Sequence, residues 1–262
     1  MKNKILFIVI LAVSLYKLYP EVKLDIMDVI YGSGESPYYY CFHTDKVERG
    51  NYSISQNKEF VENLQYSFNV KNELLELIIN NNEYYLMLYS KDFLFLQNKN
   101  ENSCEIYTST LGKGIDTFEK PSEVKASSFL VENKIEYNVN NLLKRSLSGL
   151  PFVPSKEEGW ENCSLTLSWK NNFKKNFLVF LIGYVNFLKP NLYTDNSRPK
   201  EITVYLDNNY SKKYTIQLAD TPNPQMIIFD QSFTTARILI EKVYKGNKWD
   251  DMCINFIYAG IK

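Results

Sequence analysis

The chain has 262 residues, of which 45% are hydrophobic and 15% aromatic, so it can form one large or two small domains with real cores. Its 30 basic and 30 acidic residues cancel, so nothing in the composition argues for a nucleic-acid-binding protein, which would need a basic face. The 20 tyrosines and 16 phenylalanines favour strands over helices, so we expect a mainly β protein.

The first 20 residues have the pattern of an export signal. Lys2 and Lys4 precede Ile5–Leu15, an apolar run of eleven residues. Such a run matches the core of a signal peptide and is short for a membrane span. We therefore expect residues 1–20 to be a signal peptide or, if they are not cleaved, an amino-terminal anchor.

Residues 36–110 show the pattern of a small β-rich domain, either a β-meander or a small barrel. Two apolar segments, 74–79 and 84–89, flank Asn80–Asn82, and asparagine tolerates the left-handed backbone of a tight turn. A helix over residues 73–80 is the alternative. His43 is the only histidine and has no nucleophile motif beside it, so a structural role is favoured over catalysis. Residues 111–134 contain few apolar side chains and are predicted to be a linker.

The remaining residues, 135–262, have the pattern of a β-sandwich. Phe177–Ile182 is a run of six apolar residues, which is typical of a strand that is covered on both faces. A long polar loop, Asn186–Pro199, separates it from an alternating strand that ends at Leu206. Seven strands are predicted here: Leu165–Trp169, Phe177–Ile182, Ile202–Leu206, Tyr214–Leu218, Met226–Phe229, Ala236–Glu241 and Ile254–Tyr258.

Four segments of this half resemble one known family. They are Ile182-Gly183-Tyr184 with Tyr193-x-x-Asn196-x-Arg198-Pro199, then Leu218-Ala219-Asp220, then Thr235-Ala236-Arg237-Ile238, and finally Asp251-x-Cys253-Ile254. In this order they resemble the NADase-type glycan-binding domain, a discoidin-like (galactose-binding-like) jelly roll of bacterial envelope and secreted proteins. The resemblance covers roughly residues 137–258 and implies a discoidin-like jelly-roll sandwich. It also implies a periplasmic or secreted protein of the bacterial cell envelope.

A carbohydrate site needs an aromatic plate and directed polar groups. The candidate residues are Tyr193, Asn196, Arg198, Trp160 and Trp249, all predicted to lie on loops. Tyr193 is the expected stacking plate, at the end of the sandwich where the Asn186–Pro199 loop emerges. The alternative is structural: the two tryptophans would plug the ends of the sandwich, and Arg198 would pair internally with Asp250 or Asp251.

The four cysteines allow three disulfide pairings. In the jelly roll that the resemblance implies, the first and last strands lie near each other. This arrangement predicts a Cys163–Cys253 bridge, which leaves Cys41 and Cys104 as the amino-terminal pair.

No resident cofactor is expected, although a structural calcium ion could bind Asp195 with Asn196, or Asp250 with Asp251. The leading hypothesis is an exported, non-enzymatic protein that recognises carbohydrate. The alternatives are an envelope structural or adhesion protein whose jelly roll binds another protein, and an accessory domain of an enzyme on another chain.

Overall fold

A computed structural model gives the structure of the protein, and its fold is mainly β, which confirms the predicted fold class. The predicted signal segment, residues 1–20, lies outside the described part of the chain. In that part, no helix is both long and apolar enough to cross a membrane. The described residues are 30–32, 38–43, 45–52, 58–109, 117–170 and 174–261.

The amino-terminal half forms one antiparallel sheet of nine strands, in the order β4-β3-β2-β1-β9-β8-β7-β6-β5. These strands are β1 Ile30–Gly32, β2 Tyr38–Phe42, β3 Val47–Tyr52, β4 Lys58–Leu64, β5 Tyr66–Lys71, β6 Leu74–Ile79, β7 Glu83–Tyr89, β8 Phe93–Asn98 and β9 Glu105–Ser109. Strands that are neighbours in the sheet are also neighbours in the chain, except β1 and β9, so the sheet consists of two meanders. Segment 74–79 is a strand rather than a helix, and Asn80 and Asn81 turn the chain with φ of 50° and 61°.

The sheet curls around an apolar cluster that contains residues of β2, β3 and β4 together with residues of β6 to β9. Arg49 on β3 reaches across the curl to Glu83 on β7, with 2.8 Å between the guanidinium and the carboxylate. The same guanidinium also pairs with Glu62 on β4 at 2.9 Å. Strands β3 and β7 are far apart in the sheet order, so this ion pair requires the curled shape.

The carboxy-terminal half is a sandwich of two antiparallel sheets with a separate hairpin. The four-stranded sheet has the order β10-β20-β15-β18, and the five-stranded sheet has the order β11-β14-β19-β16-β17. The strands are β10 Thr117–Glu119, β11 Glu123–Ala126, β12 Val131–Glu132, β13 Ile135–Glu136, β14 Ser164–Ser168, β15 Lys175–Ile182, β16 Arg198–Leu206, β17 Tyr214–Gln217, β18 Gln225–Phe233, β19 Thr235–Tyr244 and β20 Ile254–Ile261. Strands β12 and β13 form the hairpin.

The sandwich begins earlier than the sequence pattern suggests. Residues 111–134, predicted to be a linker, contain β10, β11 and β12. Strand β10 adds to the edge of the four-stranded sheet beside β20, and β11 adds to the five-stranded sheet beside β14. These edge strands are only three and four residues long, so their alternation is too brief to mark them in the sequence.

Strand β15 is covered on both faces, as its continuous apolar run predicts. Leu178, Phe180 and Ile182 face the core between the two sheets of the sandwich. Phe177 and Val179 point the other way, because side chains alternate along a strand. They join a second cluster to which the outer face of the nine-stranded sheet contributes residues of β6 to β9. The two halves of the chain therefore share an apolar interface.

The predicted Cys163–Cys253 bridge is wrong. Both residues are buried with free thiols, and no disulfide joins any of the described cysteines, Cys41 and Cys104 included. Cys163 lies in the core between the sheets. Cys253 directly precedes β20 and belongs to a small cluster with Leu130 and Val153. The two side chains thus pack in different apolar clusters.

Candidate functional site

A cleft of about 600 Å³ opens at one end of the sandwich. Its walls come from the loop before β14, the start of β16 and the loop that joins β19 to β20. The lining residues used below are Lys156, Trp160, Ser197, Lys245, Trp249 and Asp251. The volume falls within the range of ordinary small-molecule sites. We call this space the cleft.

Both predicted tryptophans line the cleft. Trp249 is 44% exposed, which is unusual for so large an apolar side chain. Trp160 is half-buried and packs against the sandwich core, so it forms a fixed wall. An exposed indole beside a fixed one offers a flat apolar surface against which a ligand can stack.

The loop that carries Trp249 is held by its backbone. The Trp249 amide and the Lys248 amide both donate to the carbonyl of Asp195, at 2.9 and 3.1 Å. The Gly246 amide donates to the Ser197 hydroxyl at 3.1 Å. A Cβ at Gly246 would lie 2.4 Å from the carbonyl oxygens of both Asp195 and Trp249, so only glycine allows this close packing. The backbone at Trp249 is therefore held by contacts within the protein.

Charged groups of both signs surround the indole rings. The Lys156 ammonium lies 3.3 Å from the Glu132 carboxylate and 3.9 Å from that of Asp251. Burial raises the pKa of Asp251, and the Lys156 charge opposes that rise. The Lys248 ammonium pairs with Asp195 at 2.9 Å. These groups can both donate and accept hydrogen bonds, which suits a ligand rich in hydroxyl groups.

A smaller space of about 260 Å³ adjoins the cleft, and we call it the side pocket. Lys156, Trp249 and Asp251 line both spaces. The rings of Tyr137 and Tyr184 meet edge to face there, with their centroids 6.5 Å apart. Burial raises the pKa of Tyr184 to about 12.

Tyr193 and Arg198 line neither space, which corrects the expectation of an exposed stacking plate. Tyr193 is completely buried and donates a hydrogen bond from its hydroxyl to Asp220 at 3.0 Å. The Arg198 guanidinium lies over the Tyr193 ring, 4.9 Å from its centroid, and pairs with Asp220 through two hydrogen bonds of 2.6 Å. The structural alternative predicted that Arg198 pairs with an acidic residue inside the protein, and it does. The partner is Asp220, however, and neither Asp250 nor Asp251.

The Asn186–Pro199 loop is compact because it folds back on itself. A four-residue helix, α1, spans Leu192–Asp195, and β16 begins at Arg198. Asn196 is buried, and its side-chain amide donates to the Leu192 carbonyl at 2.8 Å. Asn196 touches only the side pocket. Of the five predicted ligand residues, the structure brings Trp160 and Trp249 together in the cleft.

The side chains proposed for calcium have other partners in the structure. The Asp195 carboxylate is paired with the Lys248 ammonium, and the Asn196 amide is directed at a backbone carbonyl. Among the described residues there is no group of three or more acidic, histidine or cysteine side chains that could hold a metal ion. Asp251 faces Lys156 instead.

Sequence reasoning missed Lys156, Tyr137 and the side-pocket role of Tyr184. Lys156 lies in a stretch with adjacent charges, which usually indicates a solvated loop. Tyr184 stands inside the Gly183-Tyr184 segment of the family resemblance, and this is the one signal that marked it. Tyr137 lies 47 residues before Tyr184 in the chain, and only the fold shows that the two rings meet.

A two-sheet sandwich of this topology, with its cleft formed by loops at one end, defines a discoidin-like domain. Residues 116–260 match the family described as NAD glycohydrolase translocation F5/8 type C domain, which is more than half of the chain. The chain belongs to this family, as the sequence resemblance predicts.

Several solved structures are similar to this chain. The CBM32 of AlyQ, in complex with 4,5-unsaturated mannuronic acid, is 11% identical, covers 55% of this chain and 97% of its own, and has a TM-score of 0.40. CpGH89CBM32-5 from Clostridium perfringens, in complex with GalNAc-beta-1,3-galactose, is 10% identical, with coverages of 52% and 93% and a TM-score of 0.39. The family 32 carbohydrate-binding module of Streptococcus pneumoniae EndoD is 9% identical, with coverages of 55% and 98% and a TM-score of 0.40. A comparison with curated proteins gives no match.

Proposed function

We propose that the chain is an exported, non-enzymatic carbohydrate-binding protein whose sandwich binds a glycan in the cleft. The observation that carries the proposal is Trp249, an exposed indole on a loop that the backbone holds in place. A sugar ring has one weakly apolar C–H face and a rim of hydroxyl groups. The cleft offers an indole to the first and charged hydrogen-bonding groups to the second.

The proposal assigns binding rather than catalysis to the carboxylates of the cleft. Asp250 and Asp251 are neighbours in the chain, and Asp251 already faces the Lys156 ammonium at 3.9 Å. Two carboxylates that are adjacent in the chain, one of them facing an ammonium, are a poor arrangement for an acid–base pair. The apolar run Ile5–Leu15 behind Lys2 and Lys4 supports export, so the binding site would act in the bacterial envelope or outside the cell.

A second candidate is docking of an envelope protein at the same end of the molecule. Three exposed apolar side chains favour it: Phe129 before the β12–β13 hairpin, and Val131 and Ile135 within it. Glu132 of this hairpin lines the side pocket, so the apolar side chains lie close to the site. Exposed apolar groups that lie close together often mark a protein interface. An enzyme on another chain could be the partner, in which case this chain would be an accessory domain.

A glycan array with the mature chain tests the proposal. We expect binding to a restricted set of sugars and its loss in Trp249→Ala, with little change in melting temperature because this indole is exposed. Tyr210→Ala is the matched control, since Tyr210 is 55% exposed and lies outside the cleft.

Three outcomes separate the candidates. Sugar-selective binding that depends on Trp249 but not on Tyr210 supports the carbohydrate site. Failure to bind any sugar, together with recovery of one envelope protein that is lost in Val131→Asp, would replace the proposal with the docking candidate. Incubation of the bound glycan with the protein should leave it intact, and its cleavage would show that the chain is an enzyme.

A further inference from the structure

We infer that the cleft and the side pocket hold one ligand, a glycan of at least two sugar units that places an N-acyl substituent in the side pocket. The inference rests on the proposed function and names the ligand class of the same site. It starts from the three side chains that line both spaces, Lys156, Trp249 and Asp251. A ligand in contact with these residues touches both spaces at once.

The cleft and the side pocket differ in volume, so they fit different parts of the ligand. The cleft, at about 600 Å³, has the size of an ordinary ligand site. The side pocket, at about 260 Å³, is smaller than such sites usually are. It suits one substituent or one end of a ligand whose larger part lies in the cleft.

The floor of the side pocket is apolar. It is built from Leu130, Val153 and Cys253, which are all buried and form one cluster. The rings of Tyr137 and Tyr184 pack against the same cluster. A sugar hydroxyl placed on this floor would lose its water without gaining a partner, whereas a methyl group gains contact area there.

The rim of the side pocket is polar, and this separates an N-acyl group from a plain alkyl group. Glu132, Lys156 and Asp251 stand there, with Lys156 between the two carboxylates. A carboxylate can accept a hydrogen bond from the amide N–H of an N-acyl group, and an ammonium can donate one to its carbonyl oxygen. An N-acetyl group carries an amide N–H and a carbonyl oxygen next to a methyl group. The N–H and the carbonyl can bond to the polar rim while the methyl contacts the apolar floor.

Titration calorimetry with two named disaccharides tests the inference on the unmodified mature chain. N,N′-diacetylchitobiose and cellobiose share the β-1,4-linked glucose backbone and differ in their acetamido groups. We expect the first to bind about tenfold more tightly or better, the discrimination that a small apolar contact in a pocket gives. Equal affinity of the two sugars would overturn the inference without recourse to any variant.

Two variants then locate the discrimination. Leu192 is half-buried on the rim of the side pocket and does not line the cleft, so Leu192→Trp should obstruct the side pocket alone. This variant should lower the affinity for diacetylchitobiose to that for cellobiose, and it should leave the affinity for cellobiose unchanged. Leu188→Trp is the matched control, four residues earlier, 74% exposed and outside both spaces, and it should change neither affinity.

The possible results distinguish this inference from the proposed function. Suppose that both sugars bind with equal affinity, that Trp249→Ala abolishes this binding and that Leu192→Trp leaves it unchanged. The carbohydrate site then stands, and the role of the side pocket is wrong. If neither these disaccharides nor any arrayed glycan binds, both ideas fail together. Folding of each variant is checked by its melting temperature, and the comparison on the unmodified chain decides if Leu192→Trp does not fold.

Discussion

The Arg198 guanidinium and the Asp220 carboxylate form a two-fold hydrogen-bonded ion pair, with both bonds at 2.6 Å. Arg198 is buried and also lies over the ring of Tyr193. The Tyr193 hydroxyl donates a hydrogen bond to the same Asp220 carboxylate. Gly183, with φ of 83°, approaches this ring so closely that a Cβ there would lie 2.7 Å from it. Gly183, Tyr193 and Arg198, which belong to the segments of the family resemblance, therefore support the site and do not line it.

Arg198→Ala should destabilise the fold by about 2–3 kcal/mol, because it leaves the Asp220 carboxylate without its partner and removes packing from Tyr193. The value is set below that for a fully buried pair because the Asp220 side chain is 35% exposed. Chemical denaturation measures it. Lys200→Ala is the control, since this neighbouring cation is exposed. An unchanged free energy of unfolding for Arg198→Ala would show that the pair is not structural.

Gly246→Ala should weaken glycan binding and destabilise the fold by about 1–3 kcal/mol, the usual cost of forced overpacking. The added methyl would collide with backbone oxygens of Asp195 and Trp249, so the loop must move and carry the indole with it. Asn247→Ala, at the exposed neighbouring position, should have little effect on either quantity. Calorimetry and thermal melting give both readouts, and full binding by Gly246→Ala would contradict the claim that these contacts hold the loop in place.

Cys163 and Cys253 should resist alkylation in the folded protein at pH 8. Burial raises the pKa of Cys163 to about 11 and the pKa of Cys253 well above its usual range, so few thiolates are available to react. In denaturant both should react without prior reduction, and peptide mass spectrometry identifies the labelled sites. A disulfide-linked peptide pair would contradict the structure, as would a melting temperature that falls when reductant is added.

Asp251→Asn should stabilise the protein at pH 7, and the gain should shrink as the pH falls towards the usual aspartate pKa of 3.8. The sign follows from linkage. The raised pKa of Asp251 means that the folded state binds this proton more tightly than the unfolded state, so stability is lost as the pH rises through the folded pKa. Melting temperatures at pH 4 and pH 7 measure the effect, with the exposed Asp250→Asn as control. If the stability gained by Asp251→Asn instead grows as the pH falls, the pKa of Asp251 is lowered in the folded protein and not raised.

The strands of the sandwich were predictable because their pattern is local. The run Phe177–Ile182 indicates burial on both faces, and the structure shows it. What covers the second face was not predictable, because residues such as Phe93 and Phe95 lie about 80 positions away in the chain. An edge strand such as β11 has only four residues, which is too few for its alternation to stand out, so this segment was assigned to a linker.

The site was predictable only in part, for a related reason. Trp160 and Trp249 were candidates because a carbohydrate site needs an aromatic plate on a loop, and both line the cleft. Tyr193 was assigned to the surface because its neighbours in the loop are polar. Its burial depends on Asp220, 27 residues later, and on the space left by Gly183, and neither is visible in the loop itself.

The shared apolar interface has a consequence for how the family domain can be handled. Residues 116–260 alone would carry Phe177, Val179, Phe256 and Tyr258 on a face whose cover, the nine-stranded sheet, has been removed. An uncovered apolar face of this kind leads to self-association. The boundary defined by sequence similarity is therefore not a boundary for folding, and a soluble fragment needs either residues 30–109 or polar replacements on this face of β15 and β20.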